Sequence, residues 1–318
     1  MQSGLLHRFL FEGLPVRGAL VRLEGAWREA LTRRGTAGAF PAPVRNLLGE
    51  MAAAGMLIYS NIKFEGALVL QVHGDGPLKL AVAEINSDLS FRATAQVIAS
   101  VADTARLPDL INGRGRCAIT LDAHDRAAGT LPYQGIVPLH GDEGEALQSL
   151  AEVLEHYMLQ SEQLDTKLVL AANDERAAGL LLQRMPLSGA SNLGGERDED
   201  RIGLDDDYNR IAHLGGSLTA QELLSLDADT ILRRLFWQER VRLFAPKVTS
   251  FRCSCSRERV QNMLVGLGRE EMESIIAERG EIEVGCDFCG LYYRFDAIDV
   301  GGMFTPVRDQ PAAPGTLQ

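Results

Sequence analysis

Cys253-Ser254-Cys255 and Cys286-Asp287-Phe288-Cys289 decide how the last quarter of this chain folds. They hold four of the five cysteines among 318 residues, and no histidine lies between or near the two pairs. If the pairs converge in space, they give one metal ion four sulfur ligands. If they stay apart, each pair can close a local disulfide. Both chemistries, in alternation, are also compatible with the pattern.

An all-thiolate site favours zinc, because this borderline-soft ion accepts four sulfur ligands in a tetrahedron. The C-x-x-C motif is typical of zinc sites, whereas C-x-C leaves little room for both sulfurs to reach one ion. An iron–sulfur cluster could use the same ligand types, but its familiar spacings differ. We therefore expect Cys253, Cys255, Cys286 and Cys289 to be metal ligands.

Two features favour a redox role over a purely structural site. First, four arginines flank the cysteines in the sequence, where they could hold the sulfurs as thiolates: Arg252, Arg257, Arg259 and Arg294. Thiolates beside guanidinium groups are the form that oxidants attack. Second, each cysteine has a neighbouring thiol one or two residues away, which could close a reversible disulfide.

Composition limits the class of protein. With 32 basic and 43 acidic residues the net charge is −11, which disfavours a nonspecific nucleic-acid binder. Arg8, Glu12 and Arg17 interrupt the N-terminal segment, so we expect no signal peptide. No apolar run is long enough to span a membrane. We expect a cytoplasmic protein, in which clustered cysteines indicate metal or redox chemistry.

The pattern of the first region, residues 1–187, predicts an α+β domain with a largely antiparallel sheet packed by helices. A helix is predicted over Pro43–Ala54, ending near Gly55, and a longer one over Glu143–Leu164. Strands are predicted over Met56–Phe64, Ala67–Val72, Leu78–Ala83, Cys117–Leu121, Tyr133–Leu139, Lys167–Ala171 and Ala178–Arg184.

Residues 188–247 are predicted to form a flexible, partly helical linker. Its first part, as far as Gly216, has few apolar residues and much charge, so we expect a flexible connector. Amphipathic helical segments follow up to Phe244, with Asp229 a candidate cap. The sequence leaves open whether these helices dock on the first domain permanently or conditionally.

Residues 248–300 are predicted to form a small zinc-binding domain, followed by a tail over 301–318. Ser256 could cap a helix that stops at Gly268, and a second helix should end at Gly280. About fifty residues give too small a core for safe stability, so metal binding would supply part of the folding free energy. Loss of the metal should unfold this domain.

The sequence resembles the redox-regulated heat-shock chaperone family, the 33 kDa chaperonins. The resemblance rests on the run Phe251–Val260 around the first cysteine pair, and on Cys286–Cys289 followed by Tyr293-Arg294-Phe295. It extends to Ile62–Gly66, Gly74–Leu78, Ser161–Gln163, Gly179–Gln183 and Glu222–Leu224. It departs from the family at Ala178-Gly179, where a Gly-Gly pair is expected, and in its longer acidic connector.

The resemblance implies an ATP-independent holdase and not an enzyme. Its reduced form would hold one Zn²⁺ per chain on the four cysteines and be inactive. Oxidants such as peroxide or hypochlorous acid would form the disulfides Cys253–Cys255 and Cys286–Cys289 and release zinc. The linker would then unfold, the protein would form a homodimer, and exposed apolar surface would bind unfolding client proteins.

Two other functions remain as alternatives. One is a zinc-stabilised module that binds nucleic acid or a ribosomal partner. The other is a thiol–disulfide oxidoreductase, although the βαβ context expected around its C-x-x-C motif is missing at Cys286. The scattered histidines are more consistent with ordinary surface or core roles, and Cys117 with a buried core thiol.

Overall fold

The computed structural model describes residues 4–35, 38–113, 115–125, 131–185, 203 and 205–304. Part of the predicted linker (188–202 and 204) and most of the predicted tail (305–318) lie outside the described residues. The described chain forms two compact units, one of residues 4–32 and 38–252 and one of residues 33–35 and 253–304. No helix among the described residues is both long and apolar enough to cross a membrane.

One large sheet organises the first unit. Its strands are β1 (Gly4–Phe11), β2 (Val16–Leu23), β3 (Gly66–His73), β4 (Leu78–Asn86), β5 (Ser90–Val97), β6 (Arg116–Ala123), β7 (Tyr133–Pro138), β8 (Thr166–Ala172), β9 (Ala177–Arg184), β10 (Val241–Leu243) and β11 (Lys247–Phe251). Within the described residues the order is β7-β6-β3-β4-β5-β11-β1-β2-β9-β8, with β10 paired to β1. The pairs are antiparallel except β11 with β5. The predicted α+β class is confirmed.

The strand β11 joins the two halves of this sheet. It pairs antiparallel with β1 through Gly4↔Thr249, Leu5↔Val248 and Leu6↔Lys247. Its other edge pairs in parallel with β5, with Phe251 opposite Phe91. The rings of these two phenylalanines meet edge to face, with centroids 6.1 Å apart. The strand that leads directly into the cysteine motif is therefore part of the sheet.

Seven helices accompany the strands in the described part of the first unit. They are α1 (Gly25–Gly35, whose last three residues fall outside this unit), α2 (Ala42–Asn61), α3 (Leu107–Ile111), α4 (Leu150–Gln160), α5 (Asp206–Gly216), α6 (Ala220–Ser225) and α7 (Ala228–Phe236). Helix α2 contacts strands from both halves of the sheet and buries most of its residues. It forms the centre of the main core.

The predicted strand over Met56–Phe64 is wrong, because α2 continues to Asn61. Gly55 does not end the helix: its missing side chain lets α2 approach β4, since a Cβ there would lie only 2.2 Å from the Cδ1 atom of Ile85. The apolar run that follows is buried on the helix, not in the sheet. A short buried apolar run fits either a strand or a helix. Here its packing against the sheet favours the helix.

The predicted helix over Glu143–Leu164 is too long, because α4 begins only at Leu150. Ser149 accepts a hydrogen bond from the Glu152 amide and caps the helix. Before it, Gly144 has φ +82° and the Gly141 amide donates to the Glu145 carbonyl at 2.9 Å, which makes a turn. Strands β1, β2, β5, β10 and β11 are not among the predicted strands, and β10 lies in the stretch up to Phe244 that was predicted to be helical.

Helices α5, α6 and α7 of the predicted linker pack on the sheet face opposite α2. Their apolar side chains form one cluster with residues of β1, β2, β8 and β9. The flexible connector predicted as far as Gly216 is therefore wrong over Asp206–Gly216, where Asp205 caps α5 and Tyr208 and Ile211 are buried.

In this cluster the Phe236 ring lies 4.9 Å from Phe11, edge to face. Helix α7 is capped by Asp227, not Asp229, through a 2.9 Å hydrogen bond from the Thr230 amide.

Strand β9 is buried along its whole length because each of its faces has a partner. Leu180 and Leu182 belong to the cluster under the linker helices. Gly179 faces α2, where a Cβ would lie 2.7 Å from the Leu57 side chain. Successive side chains of β9 point to opposite faces of the sheet. One set packs in the main core around α2, and the other packs in the cluster under the linker helices, which we call the linker cluster. Conditional docking of the linker would leave the α2 core intact.

The second unit contains α8 (Arg257–Val265), α9 (Arg269–Arg279), β12 (Ile282–Gly285), β13 (Tyr292–Phe295) and α10 (Ala297–Met303). Strands β12 and β13 form an antiparallel hairpin. Ser256 caps α8 as predicted, and Gly280 ends α9 as predicted. Helix α8 stops slightly before the predicted Gly268, since Gly266 is its C-cap.

We predict that Glu50 makes the first unit less stable as pH rises. Burial raises the pKa of this α2 carboxyl from 4.5 to about 7. Its contribution is therefore complete below pH 4.5 and is lost as pH rises through about 7. Between pH 5.5 and 8, wild type should lose about 1–3 kcal/mol of unfolding free energy relative to Glu50→Gln. Urea unfolding followed by tryptophan fluorescence measures this, because Trp27 is buried.

The control for that experiment is Glu175→Gln, which removes an exposed carboxylate from the β8–β9 turn. Its difference from wild type should stay constant over the same pH range. A constant difference for Glu50→Gln as well would contradict the assignment.

Candidate metal centre

The two cysteine pairs lie in two different connecting segments. Cys253 and Cys255 lie in the segment between β11 and α8, and Cys286 and Cys289 lie in the turn that joins β12 to β13. Thirty residues separate the pairs in the sequence. The fold of the second unit brings them together.

The β12–β13 turn fixes the second pair. The Gly290 amide donates to the Cys286 carbonyl at 2.8 Å, and the Cys286 amide donates to the Leu291 carbonyl at 2.9 Å. Gly290 has φ +69°, a conformation that favours glycine. These hydrogen bonds curl the chain so that the Cys286 and Cys289 sulfurs lie on the same side of the turn.

The start of α8 fixes the first pair. The Ser256 hydroxyl accepts a hydrogen bond from the Arg259 amide at 3.2 Å. The Arg259 guanidinium in turn donates to the Ser254 carbonyl at 3.0 Å. The segment that carries Cys253 and Cys255 is thus tied to the first turn of the helix.

The four sulfur atoms all lie within 4.8 Å of one another. Between the pairs, the sulfurs of Cys253 and Cys286 lie 3.6 Å apart, and those of Cys255 and Cys289 lie 3.4 Å apart. Tetrahedral zinc with Zn–S bonds of about 2.3 Å would place its sulfurs about 3.8 Å apart. The four thiols are free of disulfides, and their spacing suits a four-coordinate metal ion.

Among the residues that the structure describes, these four cysteines are the one cluster of three or more candidate metal ligands. Cys117 lies elsewhere, in β6, and burial raises the pKa of its thiol to about 12. It is the buried core thiol that the sequence indicated. The donor set is therefore all-sulfur, which suits zinc and other thiophilic ions.

The flanking arginines have oxygen partners. Arg252 forms an ion pair with Asp88 at 2.8 Å, and Arg257 forms one with Asp299 at 2.7 Å. Arg294 contacts Glu283 at 2.8 Å. With Arg259 bound to a carbonyl, all four guanidinium groups have structural contacts. That these arginines offset the charge of the thiolates stays a prediction.

Tyr293 is a polar neighbour of the sulfurs, and the sequence did not predict this contact. Burial raises the pKa of Cys255, but hydrogen bonds from Tyr293 and from the other thiols outweigh burial and lower it below its ordinary value. Burial raises the pKa of both Cys253 and Cys289. In the sequence, only the closeness of Tyr293 to Cys289, four residues earlier, could have indicated this contact.

The core of the second unit is small. Its buried side chains are Leu264, Met272, Ile282, Phe295 and Val300. The Arg257 guanidinium covers the Phe295 ring at 4.3 Å and extends this core. A core of this size rarely stabilises a domain alone, so a bound metal would contribute a large share of the folding free energy.

Comparison with known proteins identifies the family. The family model for Hsp33 protein matches residues 4–296. The 33 kDa chaperonin of Chromobacterium violaceum is 46% identical over 299 residues, which cover 94% of this chain and 93% of that protein. The 33 kDa chaperonin of Shewanella woodyi is 39% identical over 318 residues, all of both chains.

A solved structure shows the same fold. The 33 kDa chaperonin of Thermotoga maritima superimposes with a TM-score of 0.72, covering 95% of this chain and 98% of that one, at 19% sequence identity. The match of the family model over nearly the whole chain, together with the close relatives, leads to one conclusion. The chain belongs to the Hsp33 protein family, a family of chaperones.

Proposed function

We propose that the protein is a redox-regulated, ATP-independent holdase that is not an enzyme and works in the cytoplasm. The observation that carries the proposal is the convergence of four sulfurs within 4.8 Å in a chain of this family. In the reduced state one Zn²⁺ would be held by Cys253, Cys255, Cys286 and Cys289. Bound there, zinc would supply folding free energy to the second unit.

Oxidation would use the same sulfurs differently. Each disulfide forms by transfer of two electrons from a cysteine pair to the O–O bond of hydrogen peroxide, which takes up two protons and leaves as two water molecules. We assign the disulfides as Cys253–Cys255 and Cys286–Cys289. Sulfurs joined in this way no longer serve as thiolate ligands, so the small unit loses its support.

Strand β11 offers a route from the sulfurs to the linker. It ends at Phe251, two residues before Cys253, and it joins the two halves of the sheet. Unfolding that begins at the cysteines would reach β11 first and then β10. The linker helices precede these strands in the chain, and they would be the next elements to detach.

Detachment would uncover apolar surface on the linker helices and on the sheet face that they cover. Leu235 and Phe236 of α7 are almost fully buried against the sheet. A buried leucine or phenylalanine contributes about 1.5–3 kcal/mol through removal from water. Exposed together, such side chains would bind the apolar segments of unfolding client proteins, or a second copy in an oxidised homodimer. The domain ranges 1–187, 188–247 and 248–300 describe these proposed moving parts.

Replacing one ligand tests the metal assignment. Cys286→Ser should lower the zinc content well below one ion per chain and destabilise the second unit, because three thiolates remain. Zinc is measured by elemental analysis of the purified reduced protein, and unfolding by circular dichroism. Cys117→Ala, outside the cluster, should retain full zinc. Full zinc content in Cys286→Ser would exclude this ligand set.

The function is tested by oxidising the zinc-loaded protein with peroxide at elevated temperature. Suppression of client aggregation should appear together with zinc release and disappear after reduction with a thiol. ATP should have no effect. Equal protection before and after oxidation would contradict the switch. Tight RNA binding by the reduced form would instead favour a zinc-stabilised nucleic-acid or ribosome-binding module.

Weakening the packing of the linker cluster should lower the oxidant concentration at which client protection begins. Phe236→Ala removes a ring packed on Phe9 and Phe11 and should cost about 3–5 kcal/mol of docking stability. Client protection should then begin at milder oxidation than in wild type. Trp237→Ala is the matched control, because that neighbouring side chain is 73% exposed. Identical thresholds for the two variants would argue against linker detachment as the activating step.

A further inference from the structure

A small cavity lies in the first unit, apart from the cysteines. It is lined by side chains of α2, α4 and the strands β2, β3, β6, β7 and β9, opens to solvent on one side, and has a volume of about 130 Å³. The apolar part of its lining includes Ile58, Leu68, Ile119, Met158 and Leu181. A dry apolar cavity of about 150 Å³ can hold a benzene molecule. This space therefore suits a short branched chain or a single ring.

A cation lines this apolar space. The Arg17 guanidinium donates from Nε to the Gln183 side-chain oxygen at 3.0 Å, and from Nη2 to the same oxygen. Its Nη1 reaches the Asn61 carbonyl at 3.4 Å. All these partners are neutral, and no carboxylate pairs with Arg17 among the described residues. Burial lowers the pKa of Arg17.

The geometry around Arg17 is fixed before any ligand arrives. Gln183 is itself held by a 2.9 Å hydrogen bond from its side-chain nitrogen to the Thr166 hydroxyl. A guanidinium carries five N–H donors, so donors remain for a further acceptor. A carboxylate is the acceptor that matches this planar group in charge and shape.

The anionic residue in the lining already has partners. Glu162 accepts hydrogen bonds from the Tyr157 hydroxyl at 2.8 Å and from the Tyr133 hydroxyl at 3.3 Å. Glu162 is exposed, so water screens its charge, whereas Arg17 is half-buried among neutral partners and is the charge that a ligand in the cavity would pair with. We propose that this cavity binds a small apolar monocarboxylate, whose carboxylate pairs with Arg17 and whose aliphatic or aromatic body fills the apolar part.

Three probes of the same shape test the proposal on the full-length, zinc-loaded protein: 4-methylpentanoate, its amide 4-methylpentanamide, and leucine. Titration calorimetry should show saturable binding of the carboxylate, about tenfold or more tighter than the amide, because only the carboxylate pairs with the guanidinium. Equal affinity for acid and amide would overturn the proposal. Leucine binding as tightly as 4-methylpentanoate would also overturn it, since Glu162 would then recognise the ammonium group.

Variants locate the binding. Arg17→Met should abolish the preference for the acid over the amide, and Leu121→Phe, which fills part of the cavity, should weaken both ligands. Arg116→Met removes an exposed strand arginine outside the cavity and should leave both affinities unchanged. Thermal unfolding establishes that each variant is folded. A Leu121→Phe protein that is folded and binds 4-methylpentanoate as wild type does would place the ligand elsewhere and refute the assignment.

Discussion

The convergence of four sulfurs from two distant chain segments is the constraint on which the second unit depends. The unit has five buried apolar side chains at its centre, and a hairpin turn and a helix cap present the thiols. A metal ion bound by these sulfurs would join the start of α8 to the β12–β13 turn. Without that link, the small core would have to hold the two segments together alone.

The position of β11 connects this local constraint to the large sheet of the first unit along the chain. The strand joins the two halves of the large sheet and ends two residues before Cys253. The linker helices cover one face of the sheet, while α2 packs on the other face and contacts both halves. This division allows one face to be uncovered while the α2 core persists. A switch that exposes apolar surface without global unfolding requires such a division.

Much of this arrangement could be predicted from the sequence. Spacing made the four cysteines candidates for one cluster, and the strands predicted over Ala67–Val72 and Leu78–Ala83 correspond to β3 and β4. What the sequence could not provide was decided by packing. The run after Gly55 fits a strand or a helix equally well, and only its burial against both halves of the sheet makes it helical. The roles of Tyr293 and of β11 depend on contacts between residues far apart in the sequence.

The proposed switch requires that the same four sulfurs bind zinc when reduced and form two disulfides between neighbouring cysteines when oxidised. Its decisive test is mass spectrometry of peptides from one oxidation time course, with zinc measured in parallel. We expect Cys253–Cys255 and Cys286–Cys289 linkages that rise as zinc is lost. The Cys253 and Cys286 sulfurs lie 3.6 Å apart and the Cys255 and Cys289 sulfurs 3.4 Å apart, so disulfides between the pairs are chemically accessible. Cys253–Cys286 and Cys255–Cys289 linkages, or oxidised protein that retains zinc, would refute the switch.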